Sequence, residues 1–272
     1  MTPPSIWGPK GDEWTYASDA KLWDLTRGIP SPGFMMRTTE GPTDATIMLT
    51  PALSALVVVD MQNFFIHPRC NDHPTGLAAV ERTMEVVKRC REIGLKVIWL
   101  NWGLSEEDLS SMPAATERSF ARSLVTPSLD NKQARNGFGS DMGEERGRLL
   151  MSGSWNAKLY DPLQDASRTD LDIFCDKNRI SGLWNGDTPL AKALVAGGYR
   201  TLLFAGVNTD QCVLGTLADA YYRGWDCIML EDCCATKTPG GHDVTIYNTA
   251  NGYGFVTDSK SFTEGTFGSG GH

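Results

Sequence analysis

Between residues 54 and 237 short aliphatic runs alternate with segments of helical period, and that alternation restricts the fold more than any other feature of the chain. SALVVVDMQ at 54–62 is a β-branched run flanked by turn-forming residues, the pattern of a strand buried on both faces. AVERTMEVVKRCREIG at 79–94 spaces Val80, Met84 and Val87 along one helix face and stops at Gly94. The same reading gives strands in LKVIWLNW (95–102), DLDIFCDKN (170–178), TLLFAGVN (201–208) and DCIMLEDCCATK (226–237), with helices in TPLAKALVAGG (188–198) and TLADAYYRG (216–224). Residues 242–253 read as a further helix, and GFVTDSKSF (254–262) as a terminal strand or loop. Strands separated by helices are joined by crossovers rather than hairpins. The expected fold class is therefore α/β, a doubly wound and mostly parallel sheet with helices on both faces, in a single domain.

The 272 residues suit one such domain, placed at 51–262. Residues 1–50 are rich in Pro, Gly and Thr but also carry Trp7, Trp14, Trp23 and Phe34, aromatics that gain from burial. They read as an irregular N-terminal arm lying on the domain or on a neighbouring subunit. Residues 263–272, ending GTFGSGGH, read as a flexible tail. Residues 103–154 are polar and Gly-rich, a long excursion with short helices of the kind that usually serves function. With 33 Asp+Glu against 25 Lys+Arg the net charge is -8, which leaves no basic stripe for nucleic acid or an anionic membrane surface. No stretch approaches the ~20 apolar residues that span a bilayer, and the start lacks a signal-peptide pattern. The expected location is the cytoplasm, where the seven cysteines, with no CxxC pair among them, stay reduced.

In a doubly wound sheet, sites gather at the carboxyl ends of the strands. That rule selects Asp60 and Gln62 after LVVV, Asn101 and Trp102 after VIWL, Lys177 after DIFC, and Asn208 to Cys212 after TLLFAG. A cysteine attacks as its thiolate, which needs a base, a nearby cation or a helix N-terminus. Cys212 opens a helix, Lys177 could supply the cation, and Asp60 could take the proton. Each has a plainer reading, as a buried small hydrophobe, a solvated surface lysine and a turn or cap aspartate. A Cys-His pair would have to recruit His242 or the loop from His67 to His73. A metal is disfavoured because His67 and His73 flank Arg69, Cys70 and Asp72 without a DxH pair, so no metal and no cofactor is expected. GxGxxG, GxxxxGK[ST] and GxSxG are absent.

Three segments, 56-LVVVDMQNFF-65, 175-CDKNRISG-182 and 206-GVNTDQCVLGTLADAYYRGWDCIMLEDCCAT-236, resemble the isochorismatase-like cysteine hydrolases in order and spacing. The similarity runs over roughly residues 50–262. What it implies is a triad of Asp60 as general base, Lys177 as cation and Cys212 as nucleophile. It further implies a non-proline cis peptide at Val207–Asn208, with the amides of Asn208 and Cys212 forming an oxyanion hole.

Within the family, 152-SGSWNAKLYDPL-163, Lys177-x-Arg179-x-Ser181-Gly182 and Thr188-Pro189-Leu190 are similar to the ureidoacrylate amidohydrolases. The chain departs from them at Ile180, where they tend to carry Tyr, around Trp102, and at Asn185-Gly186-Asp187. Nicotinamidases carry a metal-binding DxH segment absent here, and isochorismatases that cleave a vinyl ether tend to lack the cysteine. The implied activity is hydrolysis of a C–N bond in a small amide, ureido or carbamoyl compound through a thioester. A vinyl-ether hydrolase and a non-catalytic small-molecule binder are the alternatives. Phe65, Asn101, Trp102, Trp184 and Gln211 are expected in the pocket wall. The partner implied besides the substrate is a second copy of the chain, as a dimer or tetramer.

Overall fold

The computed structural model describes residues 2–41, 45–123, 137–143 and 145–268. Ahead of the first aliphatic run it has five short strands: β1 (Ser5–Trp7), β2 (Trp14–Ala17), β3 (Leu22–Asp24), β4 (Phe34–Arg37) and β5 (Thr46–Leu49). The aliphatic runs become β6 (Ser54–Val59), β7 (Lys96–Trp102), β8 (Ile173–Lys177), β9 (Thr201–Val207), β10 (Asp226–Ala235) and β11 (Phe255–Thr257), and β12 (Thr266–Phe267) follows. Between them lie α1 (Asn63–Ile66), α2 (Pro74–Ile93), α3 (Glu106–Ser111), α4 (Ala114–Ser123), α5 (Asp161–Ala166), α6 (Pro189–Gly197), α7 (Leu214–Tyr222), α8 (Gly241–Asn248) and α9 (Ser259–Thr263). Among the described residues no helix is long and apolar enough to cross a membrane.

Strands β6 to β11 form one sheet in the order β11-β10-β9-β6-β7-β8, every neighbouring pair parallel. The chain runs outward from β6 to β8, returns to set β9 on the other side of β6, and runs outward again to β11. The loops leaving β6 and β9 therefore diverge, and a crevice opens at the carboxyl ends of these two neighbours. All residues of β6 and β9 are buried, as strands covered on both faces must be. In α2 the buried stripe is Val80, Thr83, Val86, Val87 and Cys90, while Met84, expected on it, is half-buried.

At the crevice β6 and β9 approach closely at Val59 and Gly206, which are register partners. Gly206 has φ +125°, and a Cβ built there would overlap the Val59 carbonyl group. Gly206→Ala is expected to destabilise the protein by about 3 kcal/mol or more, because a left-handed backbone and a backbone overlap have no side-chain escape. At this chain size that lowers Tm by roughly 6–12 °C in calorimetry. An unchanged Tm would show that the two strands can separate at no cost.

The N-terminal arm departs from the expected irregularity. Its strands join β12 in a second sheet of order β1-β2-β3-β5-β4-β12, antiparallel except for the β3–β5 pair. At three or four residues each, these strands are too short to display a period between their Gly and Pro turns. The arm lies on its own domain: Trp14 Nε1 donates to Asp226 at 2.9 Å, Arg27 pairs with both Asp226 oxygens at 2.8 Å, and Phe34 meets Phe262 edge-on at 5.6 Å. The tail expectation is likewise corrected. Residue 263 ends α9 and Thr266–Phe267 pair with Phe34–Met35 in β4, while 269–272 lie outside the described residues.

Candidate active site

Three elements end at the crevice, and each delivers one of the residues selected by the strand-end rule. Asp60 follows β6 directly and sits at φ +52°, a left-handed turn in which its N–H still bonds the Leu100 carbonyl of β7 at 2.9 Å. Lys177 is the last residue of β8. Cys212 lies in a single wide helical turn, Thr209–Val213, between β9 and α7. The Val207–Asn208 peptide bond before that turn is cis. The Asn208 carbonyl accepts from the N–H groups of Gln211 (3.0 Å) and Val213 (3.3 Å), the residues on either side of Cys212.

The three side chains meet in a buried centre. Lys177 Nζ lies 3.0 Å from Asp60 Oδ2 and 3.5 Å from Cys212 Sγ, and donates to the Arg179 carbonyl at 3.1 Å. Asp60 is 0% exposed, and Lys177 and Cys212 are 4%. The ammonium also rests on the Trp102 ring, 3.8 Å from its centroid, a cation–π contact worth most where water is excluded. The Trp102 indole N–H lies against the Asp60 carboxyl and the Cys212 sulfur without closing a hydrogen bond of good geometry. Gln62 locks this wall in place, its side chain donating to the carbonyls of Trp102 (2.7 Å) and Ala157 (2.6 Å) and accepting from Trp102 N–H (3.0 Å).

Burial dominates the electrostatics. It raises the Asp60 carboxyl above the usual range, with Lys177 pulling the other way. It pushes the Cys212 thiol up to about 12, against the same opposing pull from Lys177. Cys212 is therefore stored as a thiol, beside an Asp60 carboxyl that is paired with the same ammonium. Passing the proton from sulfur to carboxyl moves one negative charge between two neighbours of one ammonium, so the number of buried charges does not change. The arrangement can form a thiolate on demand.

Of the residues expected in the wall, Trp102 joins the centre. Asn101 is buried too, but as the register partner of Asp176 it faces the other side of the sheet from the Trp102–Lys177 pair. Phe65 packs into an aromatic cluster with Phe64 and Phe120, and Phe120 in turn contacts Trp102 at 5.0 Å. Trp184, 46% exposed, stacks under Arg179 and borders a cavity of about 260 Å³ that touches Lys177. Gln211 is exposed and reaches Thr238. His73 was open only as a Cys or metal partner, yet it bonds Asn208 at 2.9 Å. Its place before Pro74 and a helical pattern was the available signal, that of a helix cap. His242 bonds the Glu231 carbonyl and His67 packs on Trp155.

The Isochorismatase domain family model matches residues 54–261. The ureidoacrylate amidohydrolase RutB of Acinetobacter baylyi is 31% identical over 223 residues, 79% of this chain and 84% of that one. Among solved structures, a cysteine hydrolase from Pseudomonas syringae pv. phaseolicola superposes with a TM-score of 0.62 at 19% identity, covering 83% of this chain and 95% of its own. An N-carbamoylsarcosine amidase from Thermoplasma acidophilum gives a TM-score of 0.53 at 27% identity over 76% of this chain and 96% of its own.

Proposed function

The chain belongs to the isochorismatase family of hydrolases, and from that premise we propose that it is a cysteine-dependent amidohydrolase cleaving a C–N bond of a small amide, ureido or carbamoyl compound. The observation that carries this reading is the contact of one ammonium with one carboxyl group and one thiol, at 3.0 and 3.5 Å, in a buried centre.

In the proposed mechanism Asp60 takes the Cys212 proton as sulfur attacks the carbonyl carbon, and a C–S bond forms. The oxyanion is held by the amide N–H groups of Asn208 and Cys212, and Lys177 keeps carboxyl and sulfur in register. Asp60 then returns its proton to the departing nitrogen as the C–N bond breaks, leaving a thioester. Finally Asp60 deprotonates water, which adds to the thioester and expels the sulfur. One carboxyl serves as base, acid and base again, and its raised pKa suits a group that must hold a proton between steps. The relatives named for ureidoacrylate and N-carbamoylsarcosine hydrolysis support a ureido or carbamoyl substrate.

Ammonia release from a panel of ureidoacrylate, biuret, N-carbamoyl amino acids, nicotinamide and maleamate is the test, run beside pyruvate release from a vinyl ether. Ammonia from a ureido or carbamoyl member is expected. Pyruvate without ammonia would overturn the reading.

A homo-oligomer in the cytoplasm is part of the same proposal. Trp7, Tyr221 and Tyr253 border one cavity of about 730 Å³, and Tyr222, 72% exposed, packs against both tyrosines. A contiguous aromatic surface of this kind is the usual mark of a protein interface. Sedimentation at micromolar concentration reads the state directly.

A further inference from the structure

His73 is 1% exposed and stands at the N-terminus of α2. Its Nδ1 accepts the Gly76 N–H at 2.9 Å, capping the helix. The ring fits there because residue 76 has no Cβ; one built on Gly76 would press against both His73 Nδ1 and the Ile66 side chain. An Nδ1 that accepts carries no hydrogen in the neutral ring, so the proton is on Nε2. Nε2 lies 2.9 Å from Asn208 Oδ1. Burial holds the His73 pKa below its ordinary value, which favours this neutral form. On its other side the Cys212 turn is tied by Thr236, which donates to Asp210 at 2.6 Å.

We propose that His73 is a positioning residue for the nucleophile: its imidazole, fixed as the Nε2–H tautomer by the α2 N-terminus, holds Asn208 and thereby the turn that presents Cys212. The chain of contacts is short. α2 packs on β10, β9 and β7, so the ring is mounted on the sheet itself. From the ring one hydrogen bond reaches Asn208, whose carbonyl closes the turn through the amides flanking Cys212. His73 touches no reacting atom in this scheme; it acts by location. Its functional consequence rests on the amidohydrolase reading, whereas the tautomer and the contact do not.

Two side chains separate the helix cap from the Asn208 contact. In His73→Asn, Oδ1 takes the place of Nδ1 and keeps the cap, but nothing reaches Asn208. In His73→Gln, the amide Nε2 takes the place of the ring Nε2 and keeps that contact. The expected result is a near-wild-type Tm for His73→Asn with kcat lower by about 10–100-fold and KM little changed, the effect of a small displacement of a reacting group. His73→Gln should restore most of kcat with a lower Tm. Ring ¹⁵N shifts of the wild-type protein should show hydrogen on Nε2.

Equal kcat in the two variants, or hydrogen on Nδ1, would overturn the proposal. Failure of the amidohydrolase reading looks different: wild type then releases no ammonia from the panel. In that event the rate of Cys212 alkylation by iodoacetamide takes the place of kcat, and it must still separate the two variants from each other.

Discussion

Cys212→Ala is expected to lower kcat by about 10⁴-fold or more while the protein stays folded. Losing the nucleophile of a covalent hydrolase removes both the attacking atom and the group that Asp60 deprotonates, and such losses reach roughly 10⁶ in other enzymes. The fold should tolerate the change because the missing atom is one sulfur in a turn whose backbone hydrogen bonds, from Gln211 and Val213 to Asn208, do not involve it. Incubation of wild type with substrate and rapid acid quench should trap a mass adduct on the peptide that contains Cys212. The other six cysteines serve as internal controls: Cys90, Cys175, Cys227, Cys233 and Cys234 are buried and raised by that burial, and Cys70 is half-buried. Full activity in Cys212→Ala would end the thioester mechanism.

Lys177→Met should cost both activity and stability. The ammonium is the counter-ion of Asp60 at 3.0 Å with both side chains at 1% exposure or less, so its removal leaves a buried carboxylate alone. Breaking one side of a buried pair typically costs about 3–5 kcal/mol at pH values where the remaining group is charged. The loss should depend on pH in a definite sense. Without Lys177, the largest force lowering the Asp60 pKa is gone, and the folded-state value moves still further above the ordinary carboxyl range. The folded variant then holds a proton that the unfolded chain releases, so its stability is highest at acid pH and falls as pH rises from about 4 towards the folded pKa of Asp60. Urea titrations at several pH values read this slope. A second change, Asp60→Asn, should restore stability to the Lys177→Met protein but not turnover, which drops by roughly 10²–10⁴-fold with loss of either group. A Lys177→Met protein of wild-type stability at neutral pH would mean that the pair is not the buried ion pair described here.

Much of this was legible in the chain, for reasons that differ by residue. The central strands could be read because a strand covered on both faces is apolar almost throughout, as ALVVV in β6 and LLFAGV in β9 are, whereas the three residues of β11 are too few to separate a strand from a loop. Asp60, Lys177 and the Cys212 turn could be selected because the first polar residues after such runs fall at the carboxyl edge of the sheet. The arm was misread because its strands are short, and one of them, β4, has a partner across the chain in β12, more than 200 residues away. Asn101 was placed in the wall with Trp102 because both end β7. Strand alternation sends neighbouring side chains to opposite faces, and the β7–β8 register then pairs Trp102 with Lys177 and Asn101 with Asp176.

What the sequence determined by itself is the alternation of strands and helices from β6 to β10 and the polar positions that follow those strands, Asp60, Lys177 and the turn from Asn208 to Cys212 among them, since both follow from local periodicity and from where polarity interrupts it. What only the tertiary structure decided is which groups face one another. The Trp102 ring beneath the Lys177 ammonium, the His73 ring on Asn208 and the burial that keeps Cys212 a thiol all join residues distant in the chain. The physical reason is that strand order and register are settled by the packing of the whole sheet. No local stretch carries the angle at which two side chains meet across a crevice between strands that are neighbours in space and about 150 residues apart in sequence.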